Sequence, residues 1–463
     1  MSLAVVSGGV THRRVLAIAL PMTLAHLTTP MLGVVDAAVV GRLGSASLLG
    51  GVALAAIIFD MLFWVFGFLR MGTVGLAAQA VGRRDAVEER AVLARGLLVA
   101  GALGLLIVLL RAPIESAALS LAGASDEVNA AVRDYYAIRI FAAPFTLANY
   151  VVLGWLVGLG RTGRALALQV GINFLNMVLS AALVLGAGWG VAGSAAGTLV
   201  AEIAGAVAGL VLCALLLGGR LGVAKAVLLD KARLIQTVML NRDIMIRTAA
   251  LMFAFSFFAA QGAQAGDVTL AANAILQNMV MVAAYFLDGF ATAAEQICGS
   301  AVGARRRADF SAGVRLSIVW GFAFALLAGA VYLVTGPAIL DAMSTSPEVR
   351  AEARIYLLYA ALLPVAGVTA YVFDGVYIGA LWSRDMRNLM LASLGVYLGV
   401  FLALRPLGNH GLWLAMLAFL LARGGFQALR LPTLERRTFG LCQARAALER
   451  RPLGLGRRPR PMA

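Results

Sequence analysis

Apolar residues run along this chain in uncharged stretches of about twenty or more, enough to cross a bilayer each time, broken by short segments rich in Arg, Gly and Pro. Reading the runs against these breaks gives twelve candidate helices, at 15–40, 47–80, 91–121, 128–158, 163–186, 191–218, 243–264, 267–301, 309–336, 348–381, 388–404 and 409–432. The pattern predicts an all-α polytopic membrane protein.

Composition agrees. Of 463 residues, 61% are hydrophobic and 13% charged, and the mean hydropathy is +0.89, outside the range of soluble domains. No run reads as a cleaved secretory signal ahead of a soluble domain. Charge alternates between successive loops: with the N-terminus inside, 28 Lys and Arg fall on the inner side and 6 on the outer, which places both termini in the cytoplasm by the positive-inside rule. The net charge of +15 is thereby a matter of topology and of anionic lipid headgroups, and a nucleic-acid partner is not expected. Cys213, Cys298 and Cys442 are odd in number and far apart, so neither a disulfide framework nor a metal motif is expected.

The halves of the chain repeat. Ala80-Val81-Gly82 aligns with Ala301-Val302-Gly303 at an offset of 221 residues, and Gly154 and Gly158 align with Gly375 and Gly379 at the same offset. Six helices per half make the repeats parallel, related by an axis along the membrane normal, with a cleft between them. The expected organisation is an N-lobe over 14–218, a cytoplasmic linker over 219–242, a C-lobe over 243–434 and a basic, disordered cytoplasmic tail over 435–463. Two lobes around a cleft point to alternating access.

Polar residues inside such helices are the candidate chemistry. Asp36 is the one acid in the first apolar run; a carboxylate there costs about 2.5–3.5 kcal/mol on insertion scales and tends to mark a cavity, a partner or an ion pathway. It lies roughly 32 Å along its helix from Val15, in the outer half of the N-lobe. Asn173, Asn176 and Ser180 form one stripe on the fifth helix, and Thr198 and Glu202 share a face of the sixth; Asn176, Ser180 and Thr198 fall at Asp36's depth, and Glu202 is a substrate or gating candidate. Interhelical hydrogen bonding and ion coupling both account for such a stripe. In the C-lobe, Asp288 and Glu295 on the eighth helix and Asp374 on the tenth are candidates for substrate attraction, a second cation site, or gating pairs with Arg70, Arg139 or Arg247. "MFAFSFF" (252–258) with Met279, Met281, Tyr285 and Phe286 is either cleft lining for flat apolar cations or packing. Three scattered histidines and the lack of a phosphate loop argue against an enzyme.

"PMLGVVDAAVVGRLG", "FLRMGTVGLAAQAVGRRD", "LNRDIMIRT", "LPVAGVTAYVFDGVYIGA" and "NHGLWLA" together resemble the multidrug and toxic compound extrusion (MATE) family, in its DinF-like branch, from about Arg14 to Leu434. The resemblance implies an inner-membrane antiporter that exports organic, often cationic, compounds against inward H⁺ or Na⁺. It assigns Asp36, Asn176 and Thr198 to a cation-coupling network, with Tyr135 or Tyr136 nearby. Where many relatives carry a second aspartate this chain has Ser180, a departure that favours H⁺, since a proton needs one titratable group and Na⁺ benefits from two carboxylates. Pro30 removes a backbone hydrogen bond six residues before Asp36 and offers the first helix a hinge.

The reading is therefore an efflux antiporter coupled to H⁺, less so to Na⁺, working as a monomer among lipids on small organic cations without a cofactor or metal centre. The alternative is a lipid-linked saccharide flippase of the same wider superfamily, for which the intramembrane bases Arg70, Arg139, Arg247 and Arg423 are few and partly offset by acids. A major-facilitator carrier is disfavoured by "AVGRRDAVEER" after the second helix.

Overall fold

A computed structural model describes residues 9–219 and 222–449. Among the described residues there are twelve helices long and apolar enough to span a membrane. They are α1 (His12–Gly41), α2 (Ala46–Arg83), α3 (Ala86–Leu109), α4 (Asp126–Gly158), α5 (Thr162–Gly186), α6 (Gly190–Leu216), α7 (Lys231–Gln264), α8 (Asp267–Gly303), α9 (Arg307–Met343), α10 (Pro347–Gly379), α11 (Ser383–Ala403) and α12 (Asn409–Glu449). Local chemistry sets several starts: Thr11, Ser45, Asp85, Ser125, Asp230 and Ser346 each accept a bond from a first-turn amide, satisfying donors that the helix leaves unpaired. With twelve spans, the start of α1 and the end of α12 lie on one face, called here the terminal face.

Helices α1–α6 and α7–α12 make up the two halves of the bundle, and five features depart from the sequence expectation. Helix α2 is broken at Phe66–Gly67, where the Phe66 and Gly67 amides bond the carbonyls three residues back, a 3₁₀-type tightening of the turn. The third run ends at Leu109, and Arg111–Ala122 forms a separate helix. Helix α4 passes through a 3₁₀ turn at Ile140–Ala142, just before Pro144 removes a donor. Helix α7 begins at Lys231, so the second half of the expected linker is helical. The region expected to be a disordered tail continues α12 as helix to Glu449; residues 450–463 lie outside those described. Helix α1 runs unbroken through Pro21 and Pro30.

The repeat governs the packing. A Cβ on Gly154 would lie 2.4 Å from the Arg70 carbonyl, and one on Gly375 would lie 2.0 Å from the Ala291 carbonyl. Likewise a Cβ on Gly158 would lie 2.8 Å from the Val74 carbonyl and one on Gly379 would lie 2.2 Å from the Glu295 carbonyl. Each contact reappears 221 residues later. At the terminal face the lobes meet directly, α2 against α8, and the Gln79 Nε2 donates to the Gly379 carbonyl at 3.0 Å.

Candidate functional site

In the N-lobe, α1, α5 and α6 bring together the residues singled out from the sequence. Ser194 Oγ donates to Asp36 Oδ1 at 3.3 Å, Ser180 also faces that carboxylate, and the Arg139 guanidinium is within its electrostatic reach. Asp36 is half-buried. Behind it, Asn176 Oδ1 accepts from Ser180 Oγ at 3.2 Å and from Thr198 Oγ1 at 3.5 Å. Thr198 Oγ1 also reaches the Ser194 carbonyl at 3.0 Å. Asn176, Ser180, Ser194 and Thr198 are all at most 5% exposed, so this is a hydroxyl and amide cluster sealed from lipid with one carboxylate at its edge. Tyr135, 5% exposed, borders it from α4 and packs against Phe59. Tyr136 points away and donates to the Arg111 carbonyl at 2.9 Å.

Asn173 and Glu202 lie apart from this cluster. Asn173 Nδ2 donates to Thr28 Oγ1 at 2.7 Å, bolting α5 to α1. Glu202 accepts from Asn149 Nδ2 at 2.7 Å and lies 4.0 Å from Arg139, whose guanidinium covers the Phe59 and Phe63 rings at 5.4 and 5.3 Å. Arg139 therefore stands between Glu202 and Asp36. Ser194 and Asn149 escaped the sequence reading, because a single Ser or Asn on an apolar helix carries no signal of which neighbour it meets.

The C-lobe acids are neutralised rather than displayed. Asp374, 4% exposed, is bound by both Arg247 and Arg423 and accepts from Gln427 Nε2 at 2.8 Å. It is a buried interhelical clamp joining α7, α10 and α12, and its pairing with Arg247 is one of the readings that the sequence left open. Asp288 faces Arg70, Arg247 and Arg423. Glu295, 6% exposed, faces Arg70, and its Oε1 has no hydrogen-bond partner. Arg70 in turn contacts His26 Nε2 at 3.2 Å. The exposed cleft acid is Asp60 on α2, within electrostatic reach of Tyr150 in one lobe and Tyr285 in the other. The sequence reading passed over it. Among the described residues no group of three or more His, Cys, Asp or Glu is placed to hold a metal ion.

Comparison with known proteins agrees with this architecture. The MatE family model matches residues 21–182 and 244–403, one segment in each lobe. The chain is 39% identical over 415 residues to DNA damage-inducible protein F of Escherichia coli, covering 88% of this chain and 89% of that one. It is 27% identical over 419 residues to the probable multidrug resistance protein NorM of Agrobacterium fabrum, covering 89% and 88%. Among solved structures, a MATE protein crystallised in a bent conformation superimposes with a TM-score of 0.82 at 19% identity, over 92% of this chain and 96% of that one. With the two matched segments falling on the two repeated lobes, the chain belongs to the MatE family of multi-pass membrane transporters.

Proposed function

We propose that this transporter is a proton-coupled antiporter of the bacterial inner membrane that expels amphipathic organic compounds, with both termini in the cytoplasm. The observation that carries the reading is the Asp36 cluster: one carboxylate, half-buried, met by Ser194 and Ser180 and backed by Asn176 and Thr198. A lone acid met by hydroxyl donors can take up and release one proton per cycle, with Ser194 and Ser180 placed to hydrogen-bond it when charged. A Na⁺ ion would find a single carboxylate and a few neutral oxygens, a poorer set for a hard cation.

The efflux role draws support from the named relatives, one of them a probable multidrug resistance protein. For substrate charge, Asp60 is the attractive group, since it is exposed with Arg139 within electrostatic reach, whereas Asp288, Asp374 and Glu295 are held against arginine inside the bundle. Organic cations are therefore preferred without being required, and the protein works as a monomer surrounded by lipid. A flippase for pyrophosphate-linked lipids is disfavoured, because Arg70, Arg247 and Arg423 are already engaged with acids. Purified protein in proteoliposomes, given a pH gradient or a Na⁺ gradient separately, tests the reading. Efflux of a fluorescent organic cation should follow the pH gradient; efflux driven by Na⁺ alone would overturn the coupling assignment.

A further inference from the structure

In the half of the cleft away from the terminal face, α2, α7, α8, α10 and α12 enclose an apolar cavity of about 160 Å³ lined by Trp64, Phe258, Gln277, Met281, Trp413 and Met416, among others. Its floor is rigid. Phe258 and Trp413, each 1% exposed, meet edge to face with centroids 4.9 Å apart, and Met416 is equally buried. Thioether and aromatic walls suit a flat, polarisable ring. One wall is polar: the Gln277 Nε2 is buried and has no hydrogen-bond partner. A buried donor left unmade is costly, and a ligand acceptor held beside the ring would satisfy it.

We propose that this cavity is a substrate subsite for one aromatic ring bearing a hydrogen-bond acceptor, such as an aryl carbonyl, with Gln277 as the group that reads the acceptor. The volume supports a single ring, since an apolar cavity of about 150 Å³ accepts benzene. The rest of a longer substrate leaves past Trp64, which is 45% exposed. Asp60 lies one turn before Trp64 on the same face of α2, placed to receive a cationic substituent. Trp64 belongs to the N-lobe and the other lining residues to the C-lobe, so the wall it forms exists only in this relative position of the lobes. A change of lobe orientation removes that wall and weakens ring binding. The proposal rests on the efflux reading for its meaning but not for its test.

Full-length protein in lipid nanodiscs, irradiated with benzophenone, supplies that test, because the excited ketone inserts into C–H bonds within contact distance and favours methionine. Adducts mapped by mass spectrometry should fall on Met281 or Met416. Acetophenone should suppress them at least fivefold, and ethylbenzene, of similar shape but without an acceptor, should not. Gln277→Leu should bring the two competitors to parity, and Trp64→Ala, a change at a half-exposed side chain, should lower labelling at both methionines. Adducts confined to lipid-facing helices, or a Gln277→Leu protein that still discriminates between the competitors, would overturn the assignment. Labelling is read without transport: intact labelling with no pH-driven efflux removes the antiport reading and leaves the site, and the reverse removes the site alone.

Discussion

Gly82 and Gly303 clasp each other's helix across the lobe boundary: a Cβ on Gly82 would stand 2.1 Å from the Ser300 carbonyl, and one on Gly303 would stand 2.2 Å from the Gln79 carbonyl. Under the 221-residue repeat the pair Gly82–Ser300 becomes Gly303–Gln79 with the lobes exchanged, so the pseudo-twofold axis passes between α2 and α8. The two backbones touch because no side chain separates them. Gly82→Leu should therefore hold the terminal face apart while leaving each lobe folded. The expected result is loss of efflux together with faster modification of a cysteine at Ser300, 8% exposed in this closed arrangement, by a reagent applied from the terminal face. Unchanged reactivity would mean that the clasp is not the closure.

Asp36→Asn should keep expression and folding and abolish efflux driven by a pH gradient, since the amide cannot release a proton. Ser180→Ala removes one of two donors to the Asn176 oxygen, leaving Thr198, and should retain substantial transport. Parental rates from purified Asp36→Asn protein would transfer the role to Glu202, Asp288 or Glu295.

Asp374→Leu strands two buried guanidiniums that now share its carboxylate. Breaking a buried charge pair from one side costs about 3–5 kcal/mol, so this variant should lose thermal stability more than any substitution at Asp36. Arg247→Leu leaves Arg423 and Gln427 on the acid and should cost less. The order of melting temperatures in detergent decides between a clamp and a free substrate-attracting group; parental stability for Asp374→Leu would favour the latter.

Orientation is open to a direct check. Ala187 is exposed at the turn after α5 and Ala308 is exposed at the start of α9, on opposite faces. With the termini cytoplasmic, Ala187→Cys should react with an impermeant thiol reagent in intact cells and Ala308→Cys should not. The neighbouring Gly188 has φ +70 and would strain a cysteine. Labelling of Ala308→Cys alone would invert the topology.

Span number and repeat were legible because hydrocarbon selects long apolar runs and because close-packed glycines recur at one spacing. Asp36 was legible for the opposite reason, as an expensive exception in such a run. The partners of these residues were not. In a soluble helix an apolar stripe shows which face is buried, but a helix in lipid is apolar all round, so nothing marked Ser194 as the donor to Asp36 or Arg423 as a second partner of Asp374. Asp60 lies among Phe, Leu and Trp on a helix that bends at Gly67, and only the bend and the opposing Tyr285 make it a cleft residue. The acids Asp288, Glu295 and Asp374 were found, but their charge balance depends on arginines from three other helices, α2, α7 and α12, and contacts between helices so distant in sequence leave no local periodicity.

Helix α12 runs 41 residues from Asn409 to Glu449, about 60 Å at 1.5 Å per residue, roughly twice the hydrocarbon thickness of a bilayer. Beyond the terminal face it is fastened to its own lobe: Glu435 accepts from Arg307 Nε at 2.8 Å and Ser311 Oγ at 3.1 Å, Thr438 from Trp382 Nε1 at 3.1 Å, and the Phe439 ring packs on Phe310 at 5.5 Å. A rod so fixed is a lever, and any tilt of the C-lobe is magnified at its protruding end. Fluorophores at Gly440 and at Ala86, the first residue of α3, would turn small rotations between the lobes into a change of energy transfer, giving a readout of the transport cycle from groups that touch neither substrate nor proton.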